Sequence, residues 1–382
     1  MRYPETKLPS VGTTIFTQMS ALAQAHGAIN LSQGFPDFDG PEALLSRVDH
    51  YIRQGANQYA PLSGVEPLCT AIAAKVERCY GRRVDAASEV TVTAGATEAL
   101  FAAIAAVVRA GDEVIVFDPA YDSYDPAITL NGGCAVHLPL APPRFAIDWD
   151  QVARAITPRT RMIILNTPHN PTGQVLSRED LDALSSLVAG TDILLLADEV
   201  YEHIVFDGAD HQSVHRYPAL AERSFVVSSF GKTYHTTGWK LGYCVAPAPL
   251  TTELRKVHQY VTFSTSTPMQ LALADYMQAH PEHDQQLPVF YQAKRDRLNA
   301  RLADSRFDFA PVAGTYFQIL DYSAISDLPD TEFVHWLIEH AGVAAIPLSV
   351  FYEQPPAMKR IRLCFAKHVE TLDQAAERLC KI

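Results

Sequence analysis

Between residues 89 and 246, short apolar runs alternate with segments of helical period, and that alternation leaves few folds open. The runs at 89–93, 112–117, 134–138, 161–165, 193–197, 225–228 and 242–246 are too short for buried helices and rich in Val, Ile and Leu. Residues 97–110 and about 178–188 read as the helices between them. Strands that alternate with helices imply an α/β domain with a mostly parallel sheet. We therefore expect one large domain of about seven strands, residues 40–280. The chain then changes character. A charge-rich helical stretch at 287–302 leads into strands at 315–320 and 361–365 and helices at 333–340 and 371–380. These read as a smaller α+β domain, formed by 281–382 with 1–39. Pro-rich stretches at 140–143 and 354–356 read as loops.

Composition removes several classes of function. With 48% hydrophobic and 19% charged residues, the chain reads as globular rather than disordered. A net charge of −12 argues against a nucleic-acid partner, which would require a basic surface. No stretch reaches the ~18 apolar residues of a membrane span, and the first residues lack a signal-type apolar segment, so a cytoplasmic protein is expected. The six cysteines include no Cys-x-x-Cys pair and read as reduced thiols. His211 and His215 have a metal-like spacing but no third ligand, so no metal is expected.

In open α/β sheets, ligands bind beyond the carboxyl ends of the strands. Three successive runs here end in unusual polar groups: Asn166-Thr167-Pro168-His169-Asn170-Pro171-Thr172-Gly173, Ala197-Asp198-Glu199-Val200-Tyr201, and Ser228-Ser229-Phe230-Gly231-Lys232-Thr233. Asn170 and Asp198 are 28 residues apart, and Asp198 and Lys232 are 34 apart. Each interval is about one strand–helix–strand unit, which places the groups along one edge of one sheet. Singly, each has a plain explanation as turn, helix cap or packing. Together they suit a covalently held anionic cofactor, because a lysine in a cleft with a lowered pKa attacks carbonyl carbon. A P-loop is excluded, since that motif needs glycine five residues before Gly231 and position 226 is Val.

At these residues the chain resembles the fold-type I pyridoxal-phosphate aminotransferases of class I and II. It is most similar to the branch of kynurenine and glutamine transaminases and bacterial methionine aminotransferases. Leu31-Ser32-Gln33-Gly34-Phe35-Pro36-Asp37-Phe38, Asn57-Gln58-Tyr59-Ala60-Pro61 and Thr93-Ala94-Gly95-Ala96-Thr97-Glu98-Ala99-Leu100 carry the likeness, as does the stretch from Gly231 to Lys240. The resemblance implies that Lys232 holds pyridoxal 5'-phosphate as a Schiff base and then moves the substrate proton. Asp198 would pair with the pyridinium nitrogen, Asn170 and Tyr201 would bond the ring oxygen, and Tyr121 would stack on the ring. The phosphate would lie against the N–H groups of Ala96 and Thr97 after Gly95, with Ser229 and Lys240. Many relatives carry arginine where this chain has Lys240, which keeps the charge but loses the fork.

Tyr59 matches a tyrosine that reaches the phosphate from a neighbouring subunit, so a homodimer with shared active sites is implied. Arg362 would clamp the substrate carboxylate, with Arg360 the competing candidate, and Gly34 and Asn170 would assist. Phe16 and the partner subunit's Phe263 would wall the side-chain pocket. No arginine is identifiable for a second carboxylate. The expected activity is therefore transfer of the amino group of methionine, or another large neutral or aromatic amino acid, to a 2-oxo acid. A carbon–sulfur β-lyase acting on cysteine conjugates uses the same residues. A non-catalytic cofactor-sensing regulator would need a DNA-binding region ahead of Gln33, for which the sequence leaves little room.

Overall fold

The computed structural model describes residues 3–9 and 11–382. Seven strands form the large sheet: β1 (Val90–Thr93), β2 (Glu113–Asp118), β3 (Cys134–Pro139), β4 (Thr160–Asn166), β5 (Leu194–Asp198), β6 (Ser224–Ser229) and β7 (Gly242–Val245). Their order is β1-β7-β6-β5-β4-β2-β3. All neighbours are parallel except β7, which runs antiparallel to both β1 and β6. The mostly parallel α/β architecture is thus as expected. Helices cover both faces, which is why β2 and β6 are buried at every position and read as continuous rather than alternating apolar runs.

Register sets the position of the site. Asn166 pairs with Asp198, Asp198 with Val227, and Ser229 with Gly242, which also pairs with Thr93. The polar residues that end β4, β5 and β6 therefore lie side by side, with the start of helix Gly95–Val107 beside them. That helix begins two residues before its expected start, because Gly95 adopts φ +79° and turns the chain straight from β1 into it. Gly242 permits the close approach: a Cβ there would lie 2.7 Å from the Ala96 nitrogen.

A second, three-stranded antiparallel sheet comprises β8 (Phe317–Asp321), β9 (Ile346–Pro347) and β10 (Arg360–Cys364), in the order β9-β10-β8. β8 starts later than expected because Thr315 lies at φ +65°, outside strand geometry. Residues Ile29–Asn30 pair in parallel with Val343–Ala344, and Cys364 N–H donates to the Leu31 carbonyl at 2.8 Å. These bonds set Leu31 against the carboxyl end of β10. Helices Ile15–His26, Glu42–Arg53, Glu66–Tyr80, Ala248–Val261 and Thr267–Ala279 have no counterpart in the sequence expectations. Among the described residues, no helix is long and apolar enough to cross a membrane.

Candidate active site

A cavity of about 340 Å³ opens where the ends of β4, β5 and β6 meet the small sheet. Asp198 ends β5 at 4% exposure, in surroundings that disfavour an isolated charge. Burial pushes its carboxyl up to about 6, and the Tyr124 hydroxyl, donating at 2.6 Å, acts in the opposite direction. A buried carboxylate with one hydroxyl donor is poised for a cationic partner. Asn166, at the end of β4, donates through Nδ2 to the Asp198 carbonyl and accepts the Asn170 N–H at 2.8 Å, so the loop carrying Asn170 is tied to β5.

Lys232 follows β6 in the short helix Phe230–Thr233 and lines the cavity. Its Nζ donates to the Tyr316 hydroxyl at 2.9 Å and the Gly34 carbonyl at 3.2 Å. Among the described residues, no carboxylate lies within ion-pair distance of it. Burial therefore dominates and lowers its pKa to about 8. The amine rides 5.5 Å above the ring of Tyr201, whose own hydroxyl is held well above the ordinary phenol range by burial. Tyr121 borders the same cavity and meets Tyr124 edge-on, with ring centres 5.8 Å apart.

The opposite wall is cationic. Helix Gly95–Val107 has no side-chain cap, which leaves the first-turn N–H groups of Ala96 and Thr97 available to an anion. A Cβ built on Gly95 would lie 3.6 Å from Lys240 Nζ, which places the lysine amine beside the helix start. Ser229 lines the cavity as well. The donor set fits pyridoxal phosphate: an amine of lowered pKa, a buried carboxylate, and an uncapped helix start beside a lysine.

Arg362 enters from β10 and is 1% exposed. Its Nη1 donates to Asn170 Oδ1 at 2.7 Å and its Nη2 to the Ser32 carbonyl at 3.3 Å, while Nε is buried with no partner. The guanidinium lies 3.9 Å above the Phe317 ring, with Phe351 and Phe16 at 5.2 and 5.3 Å. Burial lowers its pKa to about 10, which still leaves it charged at neutral pH. Arg360 is instead turned to Asp321 at 3.2 Å and does not line the cavity.

Of the residues expected to hold cofactor or substrate, Tyr59 and Phe263 are not brought to this cavity. They pair with each other on the surface, ring centres 5.4 Å apart, and Tyr59 is 83% exposed. His211 and His215 are engaged by Glu199 at 2.9 Å and Arg82 at 3.0 Å. Sequence reasoning missed Tyr124, Tyr316, Phe317 and Phe351. Tyr124 opens the helix Tyr124–Leu130 and is brought against Asp198 only by the fold. Tyr316 and Phe317 sit in Gly314-Thr315-Tyr316-Phe317, where only tertiary contact reveals a role.

Residues 26–379 match the family model of aminotransferase class I and II. The methionine aminotransferase of Escherichia coli is 60% identical across 98% of this chain and 97% of its own length. Human kynurenine–oxoglutarate transaminase 1 is 34% identical across 98% and 97%. A crystal structure from Escherichia coli, whose reactivity identifies a methionine aminotransferase function, superposes with a TM-score of 0.98 at 59% identity, each chain covered completely. Matched along nearly its whole length, and with a lysine amine, a buried aspartate and a buried arginine converging on one cavity, the chain belongs to the class I and II aminotransferases.

Proposed function

We propose that the chain binds pyridoxal 5'-phosphate in this cavity and transfers the amino group of methionine, and of other large neutral or aromatic amino acids, to a 2-oxo acid. One observation carries the reading: Lys232 presents an enclosed amine with only neutral hydrogen-bond partners, one strand along from buried Asp198. Lys232 would hold the cofactor, Asp198 would face its ring nitrogen, and Asn170 and Tyr201 its ring oxygen. Tyr121 would cover one face. Ala96, Thr97, Ser229 and Lys240 would take the phosphate. When bound, the cofactor supplies an electron sink for charge released at the substrate Cα.

The chain's own residues do the remainder. Lys232, its pKa lowered to about 8, would be neutral often enough near that pH to accept the substrate Cα proton and hold it at Nζ. Arg362 offers a planar fork to the α-carboxylate, and its partnerless Nε is a ready donor. Asn170 Oδ1 and Phe317 fix the guanidinium from two sides, so little side-chain freedom is left to lose on binding. Gly34 would add a backbone contact.

Among the described residues, the cationic side chains lining the cavity are Lys232, Lys240 and Arg362, and each already has a role, which leaves none of them for a second carboxylate. Phe16, Phe35 and Phe317 give the cavity aromatic walls. A thioether gains about 0.3–1.5 kcal/mol from such contacts. Similarity to methionine aminotransferase supports the same donor.

We further propose a cytoplasmic homodimer in which the partner's Tyr59 and Phe263 complete the site. Their exposure away from the chain's own cavity supports the dimer, and six unpaired thiols support a reducing compartment. Residues 40–280 would form the cofactor-binding domain, and 1–39 with 281–382 the smaller one. The test is a visible spectrum of the holoenzyme titrated with single amino acids and no acceptor. Methionine should bleach the cofactor band and a 2-oxo acid should restore it. A band that no amino acid converts would overturn the reading, and pyruvate release from a cysteine conjugate would mark a lyase.

A further inference from the structure

Tyr316 is completely buried at the mouth of the small sheet and is absent from the roles assigned above. Its hydroxyl donates to the Gly34 carbonyl at 2.6 Å and accepts from Lys232 Nζ at 2.9 Å. The same Gly34 carbonyl accepts a second bond from Lys232, at 3.2 Å. Hydrogen-bond bookkeeping then becomes restrictive. A tyrosine hydroxyl has one proton, and here it is spent on Gly34, so towards Lys232 the oxygen can only accept. A neutral amine has two N–H donors and one lone pair, and the two acceptors match the two donors.

The backbone that delivers Tyr316 is strained. Thr315, a β-branched residue, is held at φ +65°, a conformation such residues rarely adopt. It is pinned there by its N–H to the Ile204 carbonyl at 2.9 Å and by Phe317 N–H to its own Oγ1 at 3.2 Å. Non-glycine residues persist in such conformations where surrounding structure over-determines them, and these places cluster at functional sites. The turn sets Tyr316 against Lys232 and Phe317 beneath Arg362. Gly34 completes the fit, since a Cβ there would meet the Phe317 ring at 2.9 Å.

We propose that Tyr316 is a positioning residue for proton transfer: with the Gly34 carbonyl it engages both N–H bonds of the free Lys232 amine and so leaves the lone pair directed into the cavity. The inference rests on Lys232 being the group that moves the substrate proton. It assigns Tyr316 no proton of its own to transfer. The charged and titratable groups around the amine are Cys364, Lys240, Arg362, Asp198 and Tyr201, and Tyr316→Phe replaces none of them.

The test is Tyr316→Phe, with its fold checked by melting, read in two ways. In the first, the apoenzyme is acylated with trace acetic anhydride across pH 6–10 and Lys232 labelling is followed by peptide mapping. Loss of an acceptor that favours the ammonium should lower the Lys232 midpoint by about one pH unit. In the second, single-turnover conversion of the holoenzyme with methionine should slow roughly ten- to hundred-fold while the methionine half-saturation stays near wild type. A purely structural role would lower the melting temperature yet leave the midpoint and the rate unchanged, and that result overturns the proposal. Should the phenyl variant not fold, 3-fluorotyrosine placed at position 316, a weaker acceptor, decides by the same midpoint. Labelling needs no cofactor. If the wild type fails to react with any amino acid while Lys232 labelling responds to Tyr316, the proposed function fails and the hydrogen-bond assignment stands.

Discussion

Two enclosed lysines of this chain, Lys75 and Lys232, differ in what surrounds them. Lys75, in helix Glu66–Tyr80, is 6% exposed and forms an ion pair with Glu202. Glu202 also takes the hydroxyls of Tyr80, Tyr243 and Ser228, so its carboxylate is fully engaged. Burial alone would depress the Lys75 pKa, but Glu202 outweighs it and holds the amine charged, above the ordinary lysine range. Lys232 faces a phenol and a carbonyl, and burial prevails. An adjacent carboxylate makes one lysine an inert strut between helix and sheet. Its absence leaves the other with a pKa lowered to about 8. Burial of a lysine therefore signals nothing until its partners are counted.

The largest expected effect comes from removing the unpaired amine. Lys232→Ala should abolish both the visible cofactor band and turnover, and a variant that retained repeated turnovers would break the contrast. Lys75→Met should instead appear as instability. It leaves Glu202 buried without its cation, at a cost of about 3–5 kcal/mol, read by denaturant unfolding of the apoenzyme. Lys75→Met combined with Glu202→Leu should recover a large part of that loss. If the double variant is no better than the single, the carboxylate is not what makes Lys75 structural.

The contrast also has a pH signature. The folded Lys232 titrates near 8, below its ordinary 10.5, so the unfolded chain binds more protons between these values. The penalty for burying the charged form is fully present below pH 8 and is relieved as pH rises from 8 to 10.5, which stabilises the apoenzyme by roughly 3 kcal/mol. Lys232→Met should abolish this alkaline gain, while Lys75→Met should leave it. Unfolding curves at fixed pH values across the window decide the matter.

The smallest effect concerns Arg362, another enclosed cation without a carboxylate. Arg362→Ala should cost about 1.5–3 kcal/mol in substrate binding, a rise in KM of roughly ten- to hundred-fold, for every amino acid alike. If only some donors were affected, Arg362 would be reading side chains rather than the α-carboxylate.

Much of this was legible along the chain, and what was not has a physical reason. The strand ends declare themselves, because β4, β5 and β6 carry apolar runs that stop abruptly at Asn166, Asp198 and Ser228. Spacing alone aligns them. Boundaries set by single dihedrals are harder to read: Gly95 draws its helix two residues forward, and Thr315 delays β8. Helix Thr267–Ala279 mixes buried and half-buried positions around much of its circumference, so its period is faint. Tyr316 could not be found from spacing, since its partners Gly34 and Lys232 are 282 and 84 residues away. Nothing in the sequence marks Lys75 until Glu202 is seen against it.

Reductive trapping tests the central claim most directly. The apoenzyme is incubated with pyridoxal 5'-phosphate, reduced with borohydride, digested and mapped. The contrast between the two lysines predicts a single modified residue, Lys232, with Lys75 untouched. Label on Lys75 or on Lys240 in place of Lys232, or no stable label at all, would contradict it.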